Sequence, residues 1–150
     1  MRCYDKPTAD REEINPRLTS FHDIQIHRLK RLDENIKTHG CKKAIRRAVC
    51  ADLRNMDAEE FDETFSTIRF VPDAFLIDEE KLVVRIYEVE VSSPITLEKM
   101  HRYVDLMWLL DYEEWRLEIV RVDKYGKQEP VGLFEWWGDS VGATEEKCDA

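Results

Sequence analysis

Long hydrophobic runs are missing from this sequence, and their absence bears on where the chain resides. No run approaches the roughly 18 consecutive apolar residues of a membrane-spanning helix. The first residues, from Met1 to Pro7, also lack the apolar core of a signal peptide. The sequence therefore predicts a cytoplasmic protein with no membrane partner.

Cysteine is scarce and poorly spaced for metal binding. Cys3, Cys41, Cys50 and Cys148 form no C-x-x-C pair and have no partnering histidine pattern, so neither a zinc site nor a disulfide framework is predicted. The sequence also lacks the G-x-S-x-G elbow, the phosphate-binding P-loop and the H-E-x-x-H motif. These absences exclude several common enzyme classes from the interpretation.

The length of 150 residues suits one domain with a real core. The polar start, with Pro7 and Pro16, predicts an irregular arm over residues 1–20. The small and acidic residues at the end predict a flexible tail over 139–150. A single folded domain is expected between them, over 21–138.

Basic charge is concentrated in one segment of an otherwise acidic chain. The net charge is −9, yet residues 28–47 contain eight basic residues against two acidic ones, which makes that segment +6. Such a face can bind a polyanion in a salt-sensitive way, and the alternative is a solvated helix surface. The candidate nucleic-acid-binding residues lie on the second predicted helix and are Lys42, Lys43, Arg46 and Arg47.

Hydrophobic periodicity predicts alternating helices and strands. The first helix runs from Phe21 to a break at 38–40, with Gly40 as its C-terminal stop. The remaining predictions are a helix over 42–56, a short helical turn or a loop over 57–63, the start of the β region at 64, strands over 70–78 and 82–91, a helix capped by Ser93 or Thr96, a strand over 115–122 and a returning strand over 130–137.

Three carboxylates occupy definite places on the predicted hairpin. Asp73 directly follows Pro72, and Glu88 and Glu90 lie fifteen and seventeen positions further on. Side chains alternate along a strand, so Glu88 and Glu90 share a face and lie roughly 6–7 Å apart. Oxygen ligands of this kind suit Mg²⁺. The alternatives are that Asp73 serves the turn after the proline, and that the two glutamates are a surface pair on an edge strand.

These residues resemble the PD-(D/E)xK nuclease superfamily. The likeness covers about residues 42–122 and is carried by Pro72-Asp73, the fifteen-residue gap, Glu88-Val89-Glu90 and the following helix and strand. It implies an α/β fold with a restriction-endonuclease-like core, in which helices flank a central mixed β-sheet. It also implies Mg²⁺ or Mn²⁺ as cofactor.

The resemblance assigns roles to individual residues. Asp73 and Glu88 would be metal ligands, with the Val89 carbonyl as a third. The motif lysine is replaced by Glu90, which in this family can bind a second metal or act as general base. Other members borrow a lysine from the next helix, and Lys99 is the candidate here. A third reading is a decayed site in a domain that only binds.

The leading expectation is therefore a metal-dependent nuclease that hydrolyses phosphodiesters, with catalytic residues Asp73, Glu88, Glu90 and Lys99. Its partner would be nucleic acid, with DNA favoured over RNA and a homodimer left open. The alternative is a non-catalytic domain of the same fold that binds nucleic acid or a protein. An acidic, DNA-mimicking inhibitor is a third class, suggested only by the net charge of −9.

Overall fold

The computed structural model describes residues 20–90 and 95–133. Most of the predicted N-terminal arm, and all of the predicted tail over 139–150, lie outside these residues. The described parts contain four helices and four strands. They are α1 (Phe21–Leu32), α2 (Cys41–Cys50), α3 (Ala58–Thr67), β1 (Ala74–Asp78), β2 (Val83–Glu90), α4 (Leu97–Tyr112), β3 (Arg116–Asp123) and β4 (Gln128–Val131).

The strands form one mixed sheet in the order β1-β2-β3-β4. β1 is antiparallel to β2, and β4 is antiparallel to β3. The central pair, β2 and β3, is parallel and is connected through α4, as a parallel pair requires a crossover. The predicted α/β class, with a mixed sheet and helices, is confirmed.

The hairpin between β1 and β2 determines which residues face each other. Residues 79–82 form the turn, where Leu82 has a φ of 56° and Asp78 accepts a hydrogen bond from the Lys81 amide at 3.0 Å. The register pairs Asp78 with Val83 and Ala74 with Tyr87. The hairpin predicted around 79–81 is confirmed.

The sheet separates two groups of buried residues, as the alternation of strand side chains requires. On one face, Val84 and Ile86 of β2 belong to the larger core, which α2, α3 and α4 cover. On the other face, Tyr87 and Val89 join Leu29 of α1 in a smaller core. The helices therefore flank the sheet on both faces, with α1 alone on one of them among the described residues.

The first predicted helix is too long. Ser20 caps α1 by accepting from the Asp23 amide at 3.1 Å, and the helix ends at Leu32. The Asp33 side chain then accepts from the Asn35 amide at 2.8 Å, a local turn that competes with further helix. Gly40, predicted as the stop of this helix, instead precedes α2 with a φ of 74°.

The second predicted helix also ends early, at Cys50 instead of 56. The reason is the buried carboxylate of Glu113, which accepts hydrogen bonds from the amides of Arg54 at 2.6 Å and Asn55 at 3.0 Å. Leu53 and Met56 still pack against the larger core, as the periodicity indicated, but they do so from a loop.

The β region does not begin at Thr64. Asp57 accepts from the Glu60 amide at 2.7 Å and caps α3, which continues to Thr67. Phe61 and Phe65 stack with ring centroids 5.4 Å apart and bury the inner face of this helix. The contact between these rings, four residues apart on one helix, outweighs the strand preference of the residues around them.

The last elements agree more closely with the predictions. Thr96 caps α4 by accepting from the Lys99 amide at 3.2 Å, while Ser93 lies outside the described residues. Leu117 and Ile119 of β3 face the larger core, and the alternate residues face the smaller one, as predicted. The returning strand runs from Gln128 to Val131, so it begins before the predicted 130, and the prediction that it continues is wrong because Leu133 is already helical; the predicted end at 137 is outside the described residues. None of the described helices is long and apolar enough to cross a membrane.

Candidate active site

The hairpin register brings Asp73 next to Glu88. Ala74 pairs with Tyr87 at the end of the register, and Asp73, directly before Ala74, lines the same cavity as Glu88. The Asp73 carboxylate also accepts a hydrogen bond from the Val89 amide at 2.7 Å. The aspartate after Pro72 is thus fixed at the end of the hairpin that carries the glutamate.

Glu88 is buried on an otherwise apolar strand, with 4% of its surface exposed. The Lys99 Nζ atom lies 3.0 Å from Glu88 Oε2 and 2.8 Å from Oε1, and the Tyr103 hydroxyl donates to Oε1. Lys99 and Tyr103 lie one turn apart on α4, so this helix supplies both partners. A buried carboxylate needs such partners, because an unpaired charge in the core is costly.

Burial and a neighbouring carboxylate perturb the pKa of Glu88. Burial, together with the nearby charge of Asp73, raises the pKa of Glu88 to about 7, although Lys99 and Tyr103 oppose this rise. Burial and the charge of Glu88 raise the pKa of Tyr103, so its hydroxyl stays protonated and donates. Perturbed carboxyl pKa values next to a like charge are typical of sites that bind cations or transfer protons.

His22 completes the surroundings of Asp73. Its Nε2 atom donates to Asp73 Oδ1 at 2.9 Å, and its Nδ1 atom lies 3.4 Å from Asp23. Burial lowers the pKa of His22, but the hydrogen bonds and charges of Asp73 and Asp23 outweigh it and the net pKa is raised. Sequence reasoning missed this residue. It lies 51 positions before Asp73, and only the packing of α1 brings it there.

Glu90 lies on the same face but makes different contacts. Burial raises its pKa, against the charge of Arg121 and a backbone hydrogen bond from Ile95. Its Oε1 atom is buried with no hydrogen-bond partner in the described parts of the chain. Glu90 nevertheless lines the cavity of about 250 Å³ that also contains His22, Asp73, Glu88, Val89, Ile95, Thr96 and Lys99.

These residues are compatible with a hard divalent cation. Within residues 20–90 and 95–133, no group of three or more His, Cys, Asp and Glu side chains is arranged to hold a metal. Mg²⁺, however, often uses only one or two protein carboxylates and completes its shell with water and substrate phosphates. Asp73 and Glu88 supply two such carboxylates. The Oε1 atom of Glu90, which lines the same cavity, has no hydrogen-bond partner in the described parts of the chain.

The four predicted nucleic-acid-binding residues divide into two pairs. Lys42 donates to the Ile68 carbonyl at 2.7 Å, and Arg46 forms two hydrogen bonds with Asp62 at 2.6 Å. Lys43 and Arg47 are exposed, and neither has a partner among the contacts of the described residues. Only the second pair therefore presents uncommitted charge on α2.

Comparisons of the chain with protein-family models, with curated proteins and with solved structures found no match.

Proposed function

We propose that this chain is a metal-dependent nuclease with a restriction-endonuclease-like core, in which Asp73, Glu88 and Lys99 form the active site. The convergence of these three side chains at one small cavity carries the proposal. The order of elements supports it, since α3, β1, β2, α4 and β3 follow one another as that core requires.

A divalent cation, when bound, would supply positive charge to a phosphate oxygen and lower the pKa of a bound water. Asp73 and Glu88 are the side chains that would hold it. His22 orients the Asp73 carboxylate through its hydrogen bond at 2.9 Å. Lys99 neutralises Glu88 in the absence of metal, and its ammonium is placed to contact a substrate phosphate or water once a cation takes over that carboxylate.

The substitution at the motif lysine becomes understandable in this arrangement. Glu90 stands where the PD-(D/E)xK motif has its lysine, and the ammonium that contacts Glu88 comes instead from Lys99 on α4. A lysine on the adjacent helix thus reaches the carboxylate that a strand lysine would have flanked. Glu90 remains available as a second ligand or as a base, because it lines the same cavity.

The alternative is a non-catalytic domain of this fold that binds nucleic acid or a protein. One observation favours it: Lys99 and Tyr103 already satisfy Glu88, so the network is complete without a metal. Under this reading, Lys99 is a structural counter-ion and the chain retains only a binding surface.

Cleavage and metal binding, measured separately, distinguish the two. Wild-type protein is incubated with single-stranded, duplex and branched DNA and with RNA, in Mg²⁺ or Mn²⁺, and Mn²⁺ binding is followed by calorimetry. Asp73→Asn and Glu88→Gln should abolish both cleavage and binding of Mn²⁺. Asp78→Asn, at the opposite end of β1, is the control and should leave both intact.

Two results would decide against the nuclease. Cleavage that survives Asp73→Asn would locate the chemistry elsewhere. A wild-type protein that neither binds Mn²⁺ nor cuts any of these substrates would favour the binding-only domain.

A further inference from the structure

A second cavity adjoins the candidate active site at the start of α4. Its volume is about 290 Å³, and it lies between the loop that joins α3 to β1 and the first turns of α4. It shares Thr96 and Lys99 with the cavity that contains Asp73 and Glu88, so the two cavities are neighbours. We call it the flanking groove, and its charged lining residues are Arg69, Glu98, Lys99 and Arg102.

The loop that carries Arg69 is held firmly against the larger core. Ile68 and Phe70 are buried in that core. The Lys42 ammonium donates to the Ile68 carbonyl at 2.7 Å and lies 5.8 Å from the centroid of the Phe70 ring. The buried residues alternate with the exposed Arg69 and Val71, as in an extended segment whose successive side chains point to opposite sides. The core therefore fixes the outward direction of Arg69.

Arg69 is the uncommitted cation of the flanking groove. Lys99 is paired with Glu88, and the Arg102 guanidinium donates to Glu98 one turn before it on α4. Arg69 is exposed and has no ion-pair or hydrogen-bond partner among the described residues. A guanidinium binds phosphate through paired hydrogen bonds, so this side chain is suited to an anionic ligand.

The chain itself limits the distance between Arg69 and the candidate active site. Arg69 precedes Asp73 by four residues, and even a fully extended chain spans no more than about 14 Å over that length. The long arginine side chain can cover part of this distance. A nucleic-acid strand that passes over Asp73 and Glu88 therefore comes within its reach.

We propose that Arg69 binds a phosphate of the substrate strand close to the phosphate that is cut, and so positions that strand in the candidate active site. As a substrate subsite the flanking groove rests on the proposed nuclease function. Arg102 adds a weaker contact, because Glu98 competes for its guanidinium. Phosphate contacts carry no sequence information, so the groove accepts a strand of any sequence.

Binding of a fluorescent single-stranded oligothymidylate of about eight nucleotides tests the flanking groove without divalent metal. Fluorescence anisotropy is recorded over a range of salt concentrations. Arg69→Gln should weaken binding about tenfold at low salt, because it removes one charge-assisted contact. It should also reduce the slope of log affinity against log salt by about 0.7. Arg69→Lys should keep the slope, since the charge remains, and Lys81→Gln, in the turn at the opposite end of β2, is the control.

Glu98 provides a variant that should improve binding. It is the only carboxylate among the described residues that line the flanking groove. Glu98→Gln removes that negative charge and releases the Arg102 guanidinium, so the affinity should rise about two- to fivefold. Glu79→Gln, in the turn between β1 and β2, makes the same charge change outside the groove and should leave the affinity unchanged.

Cleavage assays in Mg²⁺ separate a positioning role from the chemistry. Arg69→Gln should raise KM and leave kcat within about twofold of the wild-type value, whereas Asp73→Asn should remove cleavage without weakening metal-free binding. If the wild type binds with this dependence on Arg69 but cuts nothing, the flanking groove stands as a strand-binding site and the proposed nuclease fails. Cleavage with the wild-type KM in Arg69→Gln would retain the nuclease and remove the groove.

Three further outcomes would overturn the proposal. They are no binding of the oligothymidylate by the wild type at low salt, equal losses of affinity in Arg69→Gln and Lys81→Gln, and a salt slope that Arg69→Gln leaves unchanged.

Discussion

Lys99 on α4 reaches both oxygens of Glu88 on β2, at 2.8 and 3.0 Å. The two residues are eleven positions apart and belong to different elements, so the packing of the helix on the sheet creates the pair. The Lys99 ammonium lowers the pKa of Glu88 and so offsets part of the rise that burial causes. It also occupies the carboxylate that a metal would need, so Lys99 would have to shift for a cation to bind.

Replacing Lys99 tests this double role. Lys99→Met should lower metal-dependent cleavage by about a hundredfold or more, the usual scale for loss of a positioned proton donor or cation. Lys99→Arg should retain part of the activity, because the charge remains. Lys81→Met, in the turn at the opposite end of β2, serves as the control. Cleavage by Lys99→Met at the wild-type rate would make Lys99 a purely structural counter-ion.

The raised pKa of Glu88 predicts a pH-dependent stability in metal-free protein. Its pKa is 4.5 ordinarily and about 7 in the folded chain, so between these values the folded state binds the proton more tightly than the unfolded state. Stability should therefore fall as pH rises from about 4.5 to about 7, by about 3 kcal/mol at most. Below this window the carboxyl is protonated in both states, and above it in neither.

Urea unfolding of the wild type and Glu88→Gln at pH 5 and pH 8 measures this effect. The wild type should lose more free energy of unfolding between the two values than the variant does. His22, whose pKa is also raised, contributes in the same direction to both proteins and cancels in the comparison. Equal losses in the two proteins would contradict the prediction.

The exposed pair on α2 should govern binding to a polynucleotide. Charge reversal at Lys43 and Arg47 should weaken binding to duplex DNA and reduce the slope of log affinity against log salt by about 2, since each lost phosphate contact removes about 0.9. Lys30→Glu reverses a single charge on α1, half the change made by the double variant, and is the control. An unchanged slope in the double variant would make this face of α2 merely solvated.

Glu113 predicts a stability effect outside the candidate site. The carboxylate is buried and accepts from the amides of Arg54 and Asn55, so Glu113→Gln turns one acceptor into a donor that faces them. The free energy of unfolding should fall by about 2 kcal/mol. Glu114→Gln, at the exposed next position, should change it by less than about 0.5 kcal/mol. Chemical denaturation of both variants measures the difference, and similar values would contradict the role given to Glu113.

The sequence predicted the sheet better than the helices. A period of two residues fixes faces, so the shared face of Glu88 and Glu90 and the inward side of β3 could be predicted from local pattern alone. The end of α2 could not, because it depends on a distant partner. The carboxylate of Glu113 ends α2 from a position more than fifty residues away.

The candidate site shows the same limit. Asp73 and Glu88 could be found because a hairpin makes them neighbours through a register of fixed length. His22 could not be found, since nothing local distinguishes it from other polar residues on an amphipathic helix. Its contact with Asp73 follows from the way α1 packs on the sheet.

The hydrogen bond that the Val89 amide donates to Asp73 also offers a way to detect a ligand in the cavity that Asp73 lines. The Asp73 carboxylate accepts from this amide as a main-chain carbonyl would if the β1–β2 ladder were longer. Any ligand that turns the Asp73 carboxylate away releases that amide, and solvent can then exchange its proton. The protection of one backbone hydrogen, followed by NMR, would thus record whether the cavity is filled without any need for catalysis.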